Sequence, residues 1–268
     1  MDQDAPTVYT NARLKAYPAK TVMQVATKNI FPLVPGAPQE RPYDVPPPGE
    51  AEDHERAMEE SRRRARSKVR DIALCNCFTH FFTWTIDGEL LDRYSPELVY
   101  AKVKTFLGNA VRRKGFAYVL VPEYHKLRPG EDRPAIHIHG LCSLGAVPIV
   151  RAISPGGRAL SDKQGRPIFN MPTWTWGHST CVPLDLQYER AVNYVIKYIG
   201  KSDEKIFGKW YLSSRGLRKS PEIIPLAPIR YDEFKDQHKL NVHEQNESRI
   251  YDGLRIITEE LPPLEDPS

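Results

Sequence analysis

The residues best suited to chemistry are His137-Ile138-His139, followed by Gly140. On a strand, residues i and i+2 point to the same face. The two imidazoles would then stand side by side, as two ligands of one divalent metal must. The apolar residues Ile136, Ile138 and Leu141 anchor the pair in a sheet. Two histidines with hydrogen-bonding roles alone would satisfy the same spacing. Just upstream lies Val121-Pro122-Glu123-Tyr124-His125. If the two segments pair as a hairpin, Glu123 comes close to the histidines. A carboxylate there would complete a hard-metal site for Mg2+ or Mn2+. An exposed strand end is the other reading of Glu123, and His125 shares its parity. Pro122 signals a bulge or strand end, which leaves the register open.

A second group is Tyr194-Val195-Ile196-Lys197-Tyr198-Ile199-Gly200-Lys201. On a helix, Tyr194 and Tyr198 share a face, with Lys197 and Lys201 each three residues beyond a tyrosine. A nearby ammonium favours phenolate and can hold a phosphate oxygen. The same pattern also suits an amphipathic helix whose tyrosines pack on a sheet. Lys201 is either a contact to a phosphate backbone or a surface charge. Gly200-Lys201-Ser202 looks like the end of a phosphate-binding loop, but position 195 is valine where that loop needs glycine. No nucleotide cofactor is therefore expected. The cations Arg62, Arg63, Arg66 and their neighbours up to Arg70 can meet phosphates or form a solvated helix face. Arg215, after Ser213 and Ser214, is a candidate phosphate-binding turn. Trp174, Trp176 and Trp210 suit core packing or stacking on unpaired bases.

These groups need elements to position them. A helix is expected from about Ala51 to Leu74, acidic early and basic late, as the helix dipole prefers. Phe81 to Ile86 reads as a strand, Pro96 to Lys114 as a helix, and Phe116 to Pro122 and Ala135 to Ser143 as strands. Residues 151 to 172 read as a hairpin excursion with turns at Gly156-Gly157 and Lys163-Gln164-Gly165. Short strands are expected around Trp174 to Trp176 and Trp210 to Leu212, with a helix from Tyr188 to Ile199 ended at Gly200. The order points to an α+β fold, an antiparallel sheet flanked by helices. Residues 1–48 and 221–268 read as irregular, proline-containing extensions around a domain at 49–220.

The chain has 268 residues, a net charge of +4 and 24 prolines. The charge is compatible with a polyanionic partner but does not demand one. Cys75, Cys77, Cys142 and Cys181 lack zinc-finger spacing, which suggests reduced, mostly buried thiols. With no apolar run near the ~20 residues of a membrane span and no signal core, a cytoplasmic protein without membrane contact is expected.

Taken in order, Phe82-Thr83-Trp84-Thr85, His137-Ile138-His139 and Tyr194 to Lys201 resemble the three motifs of the HUH endonucleases. The resemblance is closest to rolling-circle replication initiators of bacterial single-stranded DNA phages, with two tyrosines. It covers roughly residues 60 to 220. It implies an antiparallel sheet related in shape to RNA-recognition folds. It also implies a metal held by His137, His139 and Glu123, and covalent attack on DNA by Tyr194 or Tyr198, aided by Lys197. The product would be a 5′-phosphotyrosine and a free 3′-hydroxyl. A single-stranded DNA origin, a host helicase and a host polymerase are the implied partners, in a bacterial cell. A transposase or relaxase of the same chemistry is the nearest rival. A metal hydrolase using His-x-His, although position 141 is leucine where some carry aspartate, and a non-enzymatic single-strand binder are the others.

Overall fold

The computed structural model describes residues 8–9, 11–26, 53–127, 129–185, 188–201, 203–230, 245–251 and 254–261. The chain divides into two compact units, one spanning 55–219 and one built from residues 1–54 and 220–268.

The larger unit is organised by strand alternation. Strand β4 (His80–Thr85) sits in the middle of a seven-stranded sheet. Its neighbours are β6 (Ile136–Ser143) on one side and β9 (Ser179–Pro183) on the other, both antiparallel. Beyond β6 come β5 (Ala117–Tyr124) and the short β10 (Leu212–Ser213). Beyond β9 come β8 (Phe169–Asn170) and β7 (Val150–Arg151) at the edge.

Successive side chains leave opposite faces, and the two faces have different fates. Phe82, Trp84, Leu120, Ile136 and Ile138 enter a core with Val99, Val103, Phe106 and Leu107 of helix α2 (Pro96–Lys114). Val119, Val121 and Leu141 enter a second core with Val69 and Ile72 of α1 (His54–Asn76) and Val192 and Val195 of α3 (Tyr188–Ile199). The sheet is thus covered by α2 on one face and by α1 and α3 on the other.

Helix α2 begins where Ser95 accepts a hydrogen bond from the Leu98 amide and Pro96 takes the first turn. It stops at Gly115, whose φ of 67° closes the helix in the left-handed region. Helices α2 and α3 keep the expected bounds, and α1 runs two residues past Leu74. Trp174 and Trp176 do not form a strand. Trp174 instead lies buried and stacked on Trp84, ring centroids 4.6 Å apart, with its indole N–H on the Thr85 carbonyl. The expectation failed because bulky aromatic residues fill a core from a turn as well as from a strand.

The smaller unit corrects the reading of the chain ends as irregular. Strands β2 (Asn11–Ala16) and β3 (Thr21–Ala26) form a hairpin. β11 (Glu222–Leu226) pairs with β2, β14 (Leu254–Leu261) with β3, and β13 (Gln245–Tyr251) with β14, all antiparallel. Ala12, Met23 and Val25 form its small core, backed by Leu14, Leu226 and Leu261. The buried Lys20 ammonium is paired with Glu260 at 2.5 Å. β1 (Val8–Tyr9) pairs separately with β12 (Ile229–Arg230). These strands are short and rich in alanine and charge, and their partners lie over two hundred residues away, so no local pattern announces them. Residues 27–52 and 231–244 lie outside the described residues.

Gly140 shows how tightly the sheet centre is built. A Cβ there would meet the Phe82 ring and the Val119 carbonyl, both at 2.6 Å. Gly140→Ala should therefore destabilise the protein by about 1–3 kcal/mol through overpacking, measurable by urea unfolding.

Candidate functional site

Pairing of β5 with β6 runs without a break, placing Glu123 opposite His137 and Val121 opposite His139. β10 pairs only with Val119 and Leu120, so β5 is a sheet edge at Pro122, where a residue lacking N–H is tolerated. The hairpin thus brings Glu123 to both histidines on the face covered by α1 and α3. Glu123 Oε2 lies 3.3 Å from His139 Nε2. His125 adds its ring to that of His137, centroids 4.4 Å apart.

β4 supports the pair from its other side. Thr83 lies opposite His139 and Thr85 opposite His137. Thr83 Oγ1 is 3.0 Å from His139 Nδ1. When Nδ1 carries the ring proton and donates to this hydroxyl, the Nε2 lone pair is left facing Glu123. The motif around Phe82 to Thr85 therefore serves both faces, with Phe82 and Trp84 in the core and Thr83 behind a histidine.

Helix α3 closes the site. The Tyr198 ring stacks on His139, centroids 3.8 Å apart and planes 3° from parallel. Tyr194, one turn earlier, meets Tyr198 at 5.0 Å and Phe81 at 5.6 Å. Tyr198 is buried, whereas Tyr194 is 50% exposed and presents its phenol to solvent. Lys201 Nζ lies 2.9 Å from Glu123 Oε1 and 4.3 Å from the Tyr198 ring centroid. Lys197 is exposed on the same helix.

The electrostatics follow from burial. Burial alone would raise the Glu123 carboxyl, but His139 and the Lys201 hydrogen bond outweigh it and hold the pKa below its usual value. Tyr198 is pushed up strongly, by burial first, then by its hydrogen bond with Tyr194 and the nearby Glu123 charge. Tyr198 is therefore a neutral phenol, and removing or neutralising the Glu123 charge would ease its ionisation.

The arginines separate by role. Arg62 is half-buried, paired with Glu59 at 2.9 Å and Asp203 at 3.6 Å, and stacked over Trp210. Arg66 lies against Gly200, where a Cβ would collide with its guanidinium. Gly200 thus ends α3 and also admits a side chain from α1, a demand that its place after the helix did not reveal. Arg70 reaches Asn193 Oδ1 at 2.8 Å, a second tie between α1 and α3. Arg63 and Arg215 are exposed. Ser214 is buried and bonded to the Tyr118 backbone, so the turn before Arg215 is fixed to β5.

Residues 79–203 match the family model of the replication-associated protein ORF2 type. The match supports a rolling-circle replication initiator and suggests endonuclease activity in general. The matched segment contains Glu123, His137, His139, Tyr194, Lys197, Tyr198 and Lys201, whereas Arg62, Arg63, Arg66 and Arg215 lie outside it. No curated protein and no solved structure matches the chain.

A divalent metal, implied by the resemblance, can be tested against these donors. Among the described residues no three His, Cys, Asp or Glu side chains converge as a ready cage. The donors themselves fit. Glu123 Oε2 is buried and lacks a hydrogen-bond partner, because its contact with His139 Nε2 does not have hydrogen-bond geometry. A buried, unsatisfied carboxylate oxygen beside an imidazole nitrogen, with His137 opposite, is a donor set that a hard cation would satisfy. The four thiols are free, and only Cys77 is exposed. Among the described residues no helix is long and apolar enough to cross a membrane.

The Lys201–Glu123 pair has a pH signature. A depressed folded pKa gives stability that is present above the unfolded value and lost as pH falls through the folded one. Lys201→Met should therefore lower the melting temperature at pH 7. The gap to wild type should narrow as pH drops below 4.5, the ordinary value for this carboxyl, in a melting series by circular dichroism.

Proposed function

We propose that the protein is a metal-dependent nickase that starts rolling-circle replication by covalent attack of a tyrosine on single-stranded DNA. The observation that carries this reading is the stacking of Tyr198 on His139 beside Glu123, with Tyr194 exposed one turn away. A hydrolase that activates water needs no phenol in that position, and a passive DNA binder needs no buried carboxylate.

His137, His139 and Glu123 would hold Mg2+ or Mn2+, which supplies Lewis-acid polarisation of the scissile phosphate. Thr83 holds the His139 ring in the tautomer that leaves Nε2 free. A tyrosine hydroxyl oxygen attacks phosphorus in line, forming the phenol–phosphorus bond. The bond from phosphorus to the 3′-oxygen breaks, and that oxygen takes up the proton lost by the phenol. The products are a 5′-phosphotyrosine and a 3′-hydroxyl from which a host polymerase extends, while a host helicase unwinds ahead. The covalent bond stores the phosphodiester energy for rejoining. Tyr194 is placed for the first cut by its exposure, and Tyr198 for the second, once the Glu123 charge no longer opposes its ionisation. Lys197 lies on the same helix, within reach of a phosphate held at Tyr194. The cytoplasm of a bacterial host is the setting this chemistry requires.

The test is incubation with end-labelled single-stranded origin DNA, with Mn2+ and with chelator, on a denaturing gel. A metal-dependent, protease-sensitive adduct on the 5′ side of the nick is expected. It should be lost when Tyr194 and Tyr198 are both changed to phenylalanine, and turnover unaffected by that pair of changes would reject the mechanism. Thr83→Val should weaken Mn2+ binding about 10–100-fold, the range for loss of an outer-shell partner, as read by calorimetry without DNA.

A further inference from the structure

The hairpin excursion between β7 and β8 holds a repeat that the nicking chemistry does not use. Ser154-Pro155-Gly156-Gly157-Arg158 and Asp162-Lys163-Gln164-Gly165-Arg166 are the same turn built twice. In each, the first side chain accepts a hydrogen bond from the arginine amide four residues on, Ser154 at 3.1 Å and Asp162 at 2.9 Å. In each, the glycine amide donates to the first carbonyl, and the glycine sits at a φ of 80° or 81°. Only glycine takes that conformation freely. Backbone bonds from Leu160 to Ala152 and from Ile168 to Leu160 set the two turns side by side.

The cations of this wing fall into two kinds. Arg151 bonds to the Ile168 carbonyl and Ser161, and Arg166 pairs with Asp162 at 2.8 Å; both knit the wing together. Arg158 and Lys163, one in each turn, are exposed. Residues 150–170 carry four cations against the single carboxylate of Asp162, although the whole chain has a net charge of only +4. Positive charge is therefore concentrated here. Val150, Ile153 and Leu160 are also exposed, at 49%, 52% and 38%.

The wing is continuous with the site. Val150 pairs with Asn170 on β8, β8 pairs with β9 through Phe169 and Cys181, and Thr180 of β9 pairs with Thr83. Phe169 and Cys181 face the α2 core, so Thr180, Asn170 and Val150 share the face of the histidines. Neither β7, β8 nor β9 supplies a residue to the core formed with α1 and α3, and Thr180 is exposed. An open strip of sheet therefore leads from Thr83 to the wing.

We propose that the wing, with Arg158 and Lys163 at its two turns, binds the single-stranded DNA that runs from the scissile phosphate across this strip. Paired cations suit successive phosphates, and the apolar side chains between them suit unpaired bases, which a duplex would keep stacked inside. The choice of DNA as partner rests on the nicking reading above.

The test is fluorescence anisotropy of the full chain with labelled single-stranded and duplex oligonucleotides, in chelator, over a salt series. Arg158→Ala with Lys163→Ala should weaken single-strand binding and reduce the slope of log affinity against log salt by about 1.4, two phosphate contacts at ~0.7 each. Arg158→Lys with Lys163→Arg should keep the wild-type slope, which separates charge from turn folding. Adduct formation at saturating DNA should be unchanged in both. Unaltered single-strand affinity and slope in the alanine variant would overturn the proposal, as would a loss confined to duplex. Because binding is read without metal, failure of wild type to form an adduct would reject the nicking reading and leave the wing result standing.

Discussion

The larger unit depends on one buried carboxylate. Glu123 sits on an edge strand, yet its oxygens face His139 of the neighbouring strand and Lys201 just beyond α3. A desolvated carboxylate is tolerated only when opposite charge or donors surround it. That requirement fixes the β5–β6 register, since a slip of one residue would turn both histidines to the α2 face. It also draws the end of α3 against the sheet and seats Tyr198 on the His139 ring. Acid, imidazole and phenol are thus held by one electrostatic demand.

Legibility in the sequence followed the range of the interactions. The alternation of Phe82, Thr83, Trp84 and Thr85, the stripe on α2 and the spacing of Tyr194 and Tyr198 are local, and the elements they announced are present. The approach of Glu123 to the histidines was readable as a hairpin across a polar turn, conditional on a register that Pro122 left open. Other features were silent because they join distant segments. Nothing near Gly200 indicates that Arg66, more than a hundred residues earlier, lies against it. Nothing near Lys201 distinguishes a partner for a buried carboxylate from a surface cation. Trp174 misled for a related reason, since its burial against Trp84 comes from a turn.

The basic stretch of α1 shows how little composition says about role. Arg62, Arg66 and Arg70 recur every four residues and so share one helix face. Each has a distinct partner: Trp210 with Asp203, the Gly200 backbone, and Asn193. They clamp the tyrosine helix to its neighbour, and Arg63 lies off that row. A run of positive charge that reads as a nucleic-acid surface is in good part a fastening between two helices.

The sheet formed by both chain ends bears on how the protein is made. β3 is translated near the start and β14 near the finish, yet the two are hydrogen-bonded neighbours. During synthesis the 55–219 unit emerges whole while the early hairpin still lacks its flanking strands. Domains generally fold as units when they emerge from the ribosome, and distant strand pairing is slow because the loop must close first. The tyrosine-bearing unit is therefore set to mature ahead of the terminal sheet, and a nascent chain released early would carry both an assembled histidine–tyrosine cluster and an unpaired β edge.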